Sequence, residues 1–211
     1  MGYGRIGKSL ANITHRYYPD ASITVVDHDP EPLKNTLPGI QAWQIDAVKA
    51  LEEIIEQNDV NSWIIPALPK HLVFEYTLVQ LKKQGHVKQI PVPDIKVKLP
   101  FEYRDKKGTL YLSFADFSCP SNCDEPEKYC TVTGLPRVSP LYELLDGIDV
   151  NDYRSFVLRS IQLAPGLGGV QVQEVMELIS RLKAEGPGRY LICTSCSCHA
   201  VMSGIHVTSM N

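Results

Sequence analysis

No stretch of this 211-residue chain is apolar over the ~18 residues that a membrane-crossing helix needs, and its amino end lacks the basic-then-apolar layout of a secretion signal. The expectation is a cytoplasmic protein with no membrane insertion. Charge of one sign is scarce as well: 21 Lys and Arg against 24 Asp and Glu leave a formal -3, which makes no electrostatic case for nucleic acid or an anionic bilayer. No serine, histidine and acid stand in an arrangement that would assign nucleophilic catalysis. What is present is ordinary for a globular chain, 44% hydrophobic and 21% charged, and suits one large domain or two small ones. Six cysteines in a reducing compartment are thiols or metal ligands before they are disulfides.

Residues 1–30 organise the rest. Gly2, Gly4 and Gly7 have the G-x-G-x-x-G spacing in which one glycine turns tightly, one lets the backbone approach a pyrophosphate, and one packs a helix on a strand. Ile6, Leu10, Ile13 and Tyr17 then recur at helical spacing, so the helix start offers free N–H groups and its positive dipole end to an anion. Asp27 closes the β-branched run 23–26 at about the distance expected of a ribose-binding carboxylate. A carboxylate there accepts from a 2'-hydroxyl and repels a 2'-phosphate, which favours NAD over NADP. Only Met1 precedes Gly2, however, so the usual first strand is missing. The expectation is that residues upstream, or another strand, fill its place in the sheet.

Gly2-Tyr3-Gly4-Arg5-Ile6-Gly7-Lys8-Ser9-Leu10-Ala11, then Val25-Val26-Asp27-His28-Asp29-Pro30-Glu31, then Gln44-Ile45-Asp46-Ala47, resembles the NAD-binding domain of Trk-type potassium-uptake regulators, the RCK domains. The likeness covers about the first third of the chain. It implies that Asp27 holds the adenosine ribose, that Arg5 lies near the phosphates and that Asp46 lies beside the adenine, with Ile6, His28 and Ala47 as further cofactor-binding residues. It departs from the family pattern at Gln44 and Ile45, and nothing after Pro66 follows the family's continuation. Pro66 itself sits at the carboxyl end of the apolar run 62–65, where open α/β sheets place their ligand crevice.

The fold expected is α/β, a Rossmann-like three-layer parallel sheet interrupted by a β-rich insertion. Residues 1–90 form the dinucleotide-binding half, 91–150 a β-hairpin and cysteine-bearing insertion, and 151–211 a second βαβ unit completing the sheet. The hairpin pairs 95–99 with 109–114 across the turn at 104–108. In the second unit a strand at 154–163 leads through the glycine turn 164–169 to a helix at 170–184, then to a strand from Tyr190. That glycine turn is either a tight strand-to-helix connection or a second anion site, to which Arg159 could add charge. The end, 203–211, is a final strand or a tail.

Cys119, Cys123 and Cys130 are spaced C-x3-C-x6-C, and Cys193, Cys196 and Cys198 precede His199 as C-x2-C-x-C-H. Thiolates of this number suit zinc or an iron-sulfur cluster, although neither spacing is a standard finger or ferredoxin run; a redox pair and unconnected thiols stay open. Asp124, Glu125 and Glu127 read most simply as a solvated acidic loop, with tuning of a metal as the alternative. Of the histidines, only His71 is placed near a ligand. Two functions follow. As a regulatory or sensing module the chain binds NAD(H) and acts on a second copy of itself or a transporter; as an oxidoreductase it couples hydride transfer to a thiol, zinc or iron-sulfur centre.

Overall fold

The structure, a computed structural model, describes residues 1–146, 148, 150 and 152–210. Its first part runs through α1 (Arg5–Tyr17), β1 (Thr24–Asp27), the short α2 (Pro30–Leu33), β2 (Gln41–Gln44), α3 (Ala47–Glu56), β3 (Trp63–Ile64) and α4 (Leu72–Lys82). β1 and β2 lie parallel, from Thr24 opposite Gln41 to Asp27 opposite Gln44. The place beside β1 is taken by residues 1–3. The Gly2 amide donates to the Val26 carbonyl at 2.7 Å, and the Met1 carbonyl accepts from the Ala67 amide at 2.7 Å. The Met1 nitrogen donates to the Ile65 carbonyl at 2.9 Å. These three residues therefore tie β1 to the end of β3. Beyond them a cleft of about 770 Å³ continues between the two strands, walled by Ile23, Val25, Leu10, Thr14, Trp63 and Ile64.

The second part comprises β4 (Gly85–Ile90), β5 (Phe101–Arg104), β6 (Leu110–Ser113), α5 (Leu141–Asp146), β7 (Tyr153–Arg159), β8 (Ile161–Ala164), β9 (Leu167–Gln171), α6 (Val172–Glu185), β10 (Gly188–Ser195) and β11 (His199–Met210). Among the described residues the largest sheet has the order β5-β6-β11-β10-β7, and β4 pairs with the far half of β11. In it only β7 and β10 are parallel; every other pairing is antiparallel. The expected three-layer parallel sheet is therefore wrong. The reason is the connection after β10: the three residues 196–198 cannot carry a crossover, so the chain returns beside itself with Ser195 opposite Ala200. β11 is long enough to template β6 at one end and β4 at the other.

Side-chain alternation along β10 separates two cores. Tyr190 and Ile192 face a cluster with Leu72, Leu81, Val175 and Leu182, so α4 and α6 cover that face. Ala47, Leu51 and Ile64 join the same cluster, which fastens the glycine-bearing part to the large sheet. Leu191 and Cys193 face the other way, among Leu110, Met202, Leu141 and Leu145 under α5. α4 is buried on nearly all sides, as its unbroken apolar run requires.

Further expectations are corrected locally. Residues 95–99 form no strand; the hairpin is β5 with β6, Phe101 opposite Ser113. Its turn is where the sequence places it, with the Asp105 carboxylate accepting from the amides of Lys107 and Thr109. The glycine segment after Ala164 does not open a helix. It makes the β8–β9 hairpin, and α6 starts only at Val172. Residues 203–210 belong to β11, while Asn211 and Gly147 lie outside the described residues. Among the described residues no helix is long and apolar enough to cross a membrane.

Candidate functional site

Each glycine of the amino-terminal motif has its own geometry. Gly2 has φ +85°, and a Cβ on it would meet the Ala67 carbonyl oxygen at 2.7 Å. A Cβ on Gly7 would fall 1.8 Å from the Gly2 carbonyl oxygen, so only hydrogen lets α1 pack there. Gly4 has nothing within 4 Å of its would-be Cβ. It is the N-cap of α1, with no side-chain cap, and the first turn holds no acidic residue. The first amides of the helix are thus left to solvent or to an anion.

The Asp27 carboxylate stands at this opening. One oxygen accepts from the Tyr3 amide at 2.7 Å, the other from the Asp29 amide at 3.0 Å, with His28 Nδ1 at 3.3 Å. Burial would raise its pKa; the amides and His28 outweigh it, and the group is held below its ordinary value. Carboxylate oxygens retain lone pairs after two such bonds. His28 is exposed, as are Arg5 and Ile6, and Pro66 precedes the Ala67 that abuts Gly2. Asp46 has a structural occupation. It caps α3, accepting from the Val48 amide at 2.8 Å and the Lys49 amide at 3.4 Å, and lies 3.6 Å from Lys70. Ala47, the first residue of α3, is buried.

His71 is not a free ligand group. Its Nδ1 lies 3.1 Å from Ser203 Oγ and its Nε2 3.0 Å from Thr194 Oγ1. Burial pulls its pKa down to about 3, so the ring is neutral at ordinary pH. It borders a polar hollow of about 350 Å³ with Lys70, Tyr103, Lys107 and Tyr111.

The cysteines divide differently from their sequence clusters. Cys193 belongs to the apolar core under α5 and is fully buried. Cys196 and Cys198 sit in the β10–β11 turn, and the loop bearing Cys119, Cys123 and Cys130 folds over them. Cys119 Sγ lies 3.6 Å from His199 Nε2, and Cys196 Sγ lies 3.6 Å from Nδ1 of the same ring. Glu125 clamps the two segments: its Oε1 accepts from the Ser197 amide at 2.6 Å, and its φ is +47°, costly for a residue with a Cβ. The β8–β9 hairpin supports the loop from below. The Gly166 amide donates to the Cys123 carbonyl at 3.0 Å and Gln162 Nε2 donates to it at 2.6 Å. The second glycine segment is thus a bracket for the cysteine loop, and the anion-site reading of it falls with its helix. Arg159 is likewise engaged, 2.8 Å from Glu127 and stacked on Tyr142.

The thiols differ in character. Burial, with Glu125 adding to it, pushes Cys196 up to about 12. Burial also pushes Cys198 up to about 12, although Arg137 opposes it. Burial and then the thiols of Cys123 and Cys130 raise Cys119. Cys130 is lowered, chiefly by the Thr133 amide. Among the described residues, no three Cys, His, Asp or Glu side chains are arranged to hold a metal ion as they stand. Arg137 carries no sequence signal for this site, and Glu125, named in the sequence only as part of an acidic loop, is brought to the β10–β11 turn by a contact across 72 residues that leaves no local pattern.

Residues 60–208 match the family AF_1314_C, described as an uncharacterized protein's C-terminal domain, and the chain belongs to that family. The matched span contains all six cysteines and follows the glycine motif, β1 and β2. An "Uncharacterized protein" of Archaeoglobus fulgidus is similar over nearly the whole length, 26% identical over 223 residues that cover 97% of each chain. No solved structure matches.

Proposed function

We propose that this protein binds NAD(H) at the glycine corner and works as a regulatory or ligand-sensing module. One observation carries the reading: Gly2 and Gly7 are forced to be glycine by the backbone around them, whereas Gly4 is crowded by nothing and caps a helix whose amides are unclaimed. A phosphate is the group such an opening suits. Asp27, held ionised at the rim, prefers the ribose diol of NAD to the 2'-phosphate of NADP. Calorimetric titration of NAD and NADP into the wild type and Asp27→Asn tests it. NAD binds the wild type more tightly, and the preference collapses in the variant. Equal affinities in all four titrations remove Asp27 from this role.

A second reading, an NAD-dependent oxidoreductase with a thiol centre, is favoured by the β8–β9 hairpin. A Cβ on Gly169 would lie 3.1 Å from the carbonyl oxygen of Ile64 in β3, while Gly166 abuts the cysteine loop at Ser121. One bracket therefore touches both β3, beside the nucleotide corner, and the backbone of the cysteine loop. Reduction of an artificial acceptor by NADH distinguishes an enzyme from a sensor.

A further inference from the structure

We propose that Cys119, Cys123, Cys130 and Cys198 together hold a soft metal centre through four thiolates, independently of whether NAD binds. The first ground is the loop. From residue 114 to 140 the described chain has neither helix nor strand beyond the isolated bridge between Tyr129 and Pro136. Tyr129, Val132, Leu135 and Val138 all stand exposed on it. A loop this long, with so little apolar burial of its own, needs a cross-link to be ordered, and metal ligation is one that a reducing compartment permits.

The second ground is the turns that present the sulfurs. Cys123 Sγ accepts from the Glu125 amide at 3.4 Å. Cys130 heads a tight turn of its own, closed by the Gly134 amide donating to the Cys130 carbonyl at 2.8 Å. Amides two and three residues on, aimed at a sulfur, stabilise a thiolate rather than a thiol. Cys196 has the same pattern from Cys198 and His199, at 3.5 and 3.4 Å, which fixes the turn that offers Cys198. Cys123 Sγ lies 3.3 Å from Thr131 Oγ1, next to Cys130; Glu125 holds the Ser197 amide, next to Cys198; and Cys119 Sγ lies 3.6 Å from the His199 ring, so the four cysteines gather where the loop meets the β10–β11 turn.

The third ground is charge. Arg137 belongs to the same loop, its amide donating to the Lys128 carbonyl at 2.9 Å. One edge of its guanidinium is anchored by the Pro126 carbonyl, yet its Nε is buried with no hydrogen-bond partner. A buried cationic donor without an acceptor is costly, and a thiolate-bound centre with net negative charge supplies the acceptor. His199 Nε2 lies 3.6 Å from Cys119 at the same rim. The sulfurs do not converge as they stand, but a χ1 change between staggered wells moves a cysteine sulfur by roughly 3 Å. Each metal–sulfur bond forms as its thiol proton passes to solvent. A single zinc and an iron-sulfur cluster share this ligand chemistry.

The test is metal and acid-labile sulfide analysis, with an absorption spectrum, of the full-length protein purified without oxygen. About one zinc per chain supports the site in its zinc form, and iron with matching sulfide supports the cluster form. Cys→Ser at each of the four positions lowers metal content at least about tenfold, while Cys193→Ala keeps it. A metal-free protein whose four thiols react freely with a thiol reagent in the native state overturns the proposal. So does metal that all four variants retain. Should the variants fail to fold, cobalt(II) titration of the demetallated wild type decides: a strong thiolate-to-cobalt charge-transfer band supports four-thiolate ligation, and its absence refutes it.

Discussion

Acidification to pH about 5 removes a calculable part of this protein's stability through one side chain, His71. The folded protein holds its imidazole neutral, with pKa drawn by burial from 6.5 to about 3, while the unfolded chain titrates normally. Between those values the unfolded state binds the extra proton. The contribution is therefore fully present above pH 6.5 and is lost progressively as pH falls toward 3. At pH about 5 the loss is about 2 kcal/mol, from some 1.5 logarithmic units of proton-binding difference at about 1.36 kcal/mol each. Urea unfolding of the wild type and His71→Gln at pH about 5 and about 7.5 isolates it. Contributions from other groups, such as His199, whose pKa burial also lowers, are shared by both proteins and cancel. The wild type loses about 2 kcal/mol more than the variant between the two pH values. An equal pH dependence in both would mean that His71 is not buried between Ser203 and Thr194, and the packing of α4 on the sheet would need revision.

Other outcomes are equally definite. Gly7→Ala, whose Cβ meets the Gly2 carbonyl oxygen at 1.8 Å, costs about 2 kcal/mol or more in thermal or urea unfolding. Gly4→Ala, with open space around it, stays within about 1 kcal/mol of the wild type. Gly166→Ala combines φ +74° with a Cβ 1.8 Å from the Ser121 carbonyl oxygen. It loosens the cysteine loop and speeds modification of Cys123 by a thiol reagent, with far-UV circular dichroism little changed. Thr194→Val deprives His71 Nε2 of its partner and costs roughly 1–3 kcal/mol.

The glycine corner was legible because its information is local: three glycines, a helical apolar period and an aspartate closing a strand all lie within thirty residues. The same locality misled the reading of the fold class. β7, α6 and β10 do make a parallel pair, but whether a sheet goes on parallel or antiparallel depends on the next connection, here the three-residue turn 196–198. Gly168 and Gly169 look like a turn in the sequence because glycine carries no period; their small size serves β9, where Gly169 lies against Trp63 and Ile65. Ser203 and Gly204 hid the apolar alternation of β11 in the same way, and its pairing with β4 and β6 is long-range. His71 stands after a strand end, which suggested a ligand role, but the hydroxyls that claim its ring come from Thr194 and Ser203. The meeting of the cysteine loop with the β10–β11 turn is a property of the folded sheet, with no spacing in the chain to announce it.

The most direct measurement is NADH binding, followed by nucleotide fluorescence and calorimetry, to the wild type and Gly4→Val. The wild type binds NADH, at least about tenfold (1.4 kcal/mol) more tightly than NADPH, and the valine, set where the pyrophosphate would approach, abolishes binding while the unfolding midpoint stays close to that of the wild type. A wild type that binds neither nucleotide, or a Gly4→Val protein that binds as well as the wild type, contradicts the account.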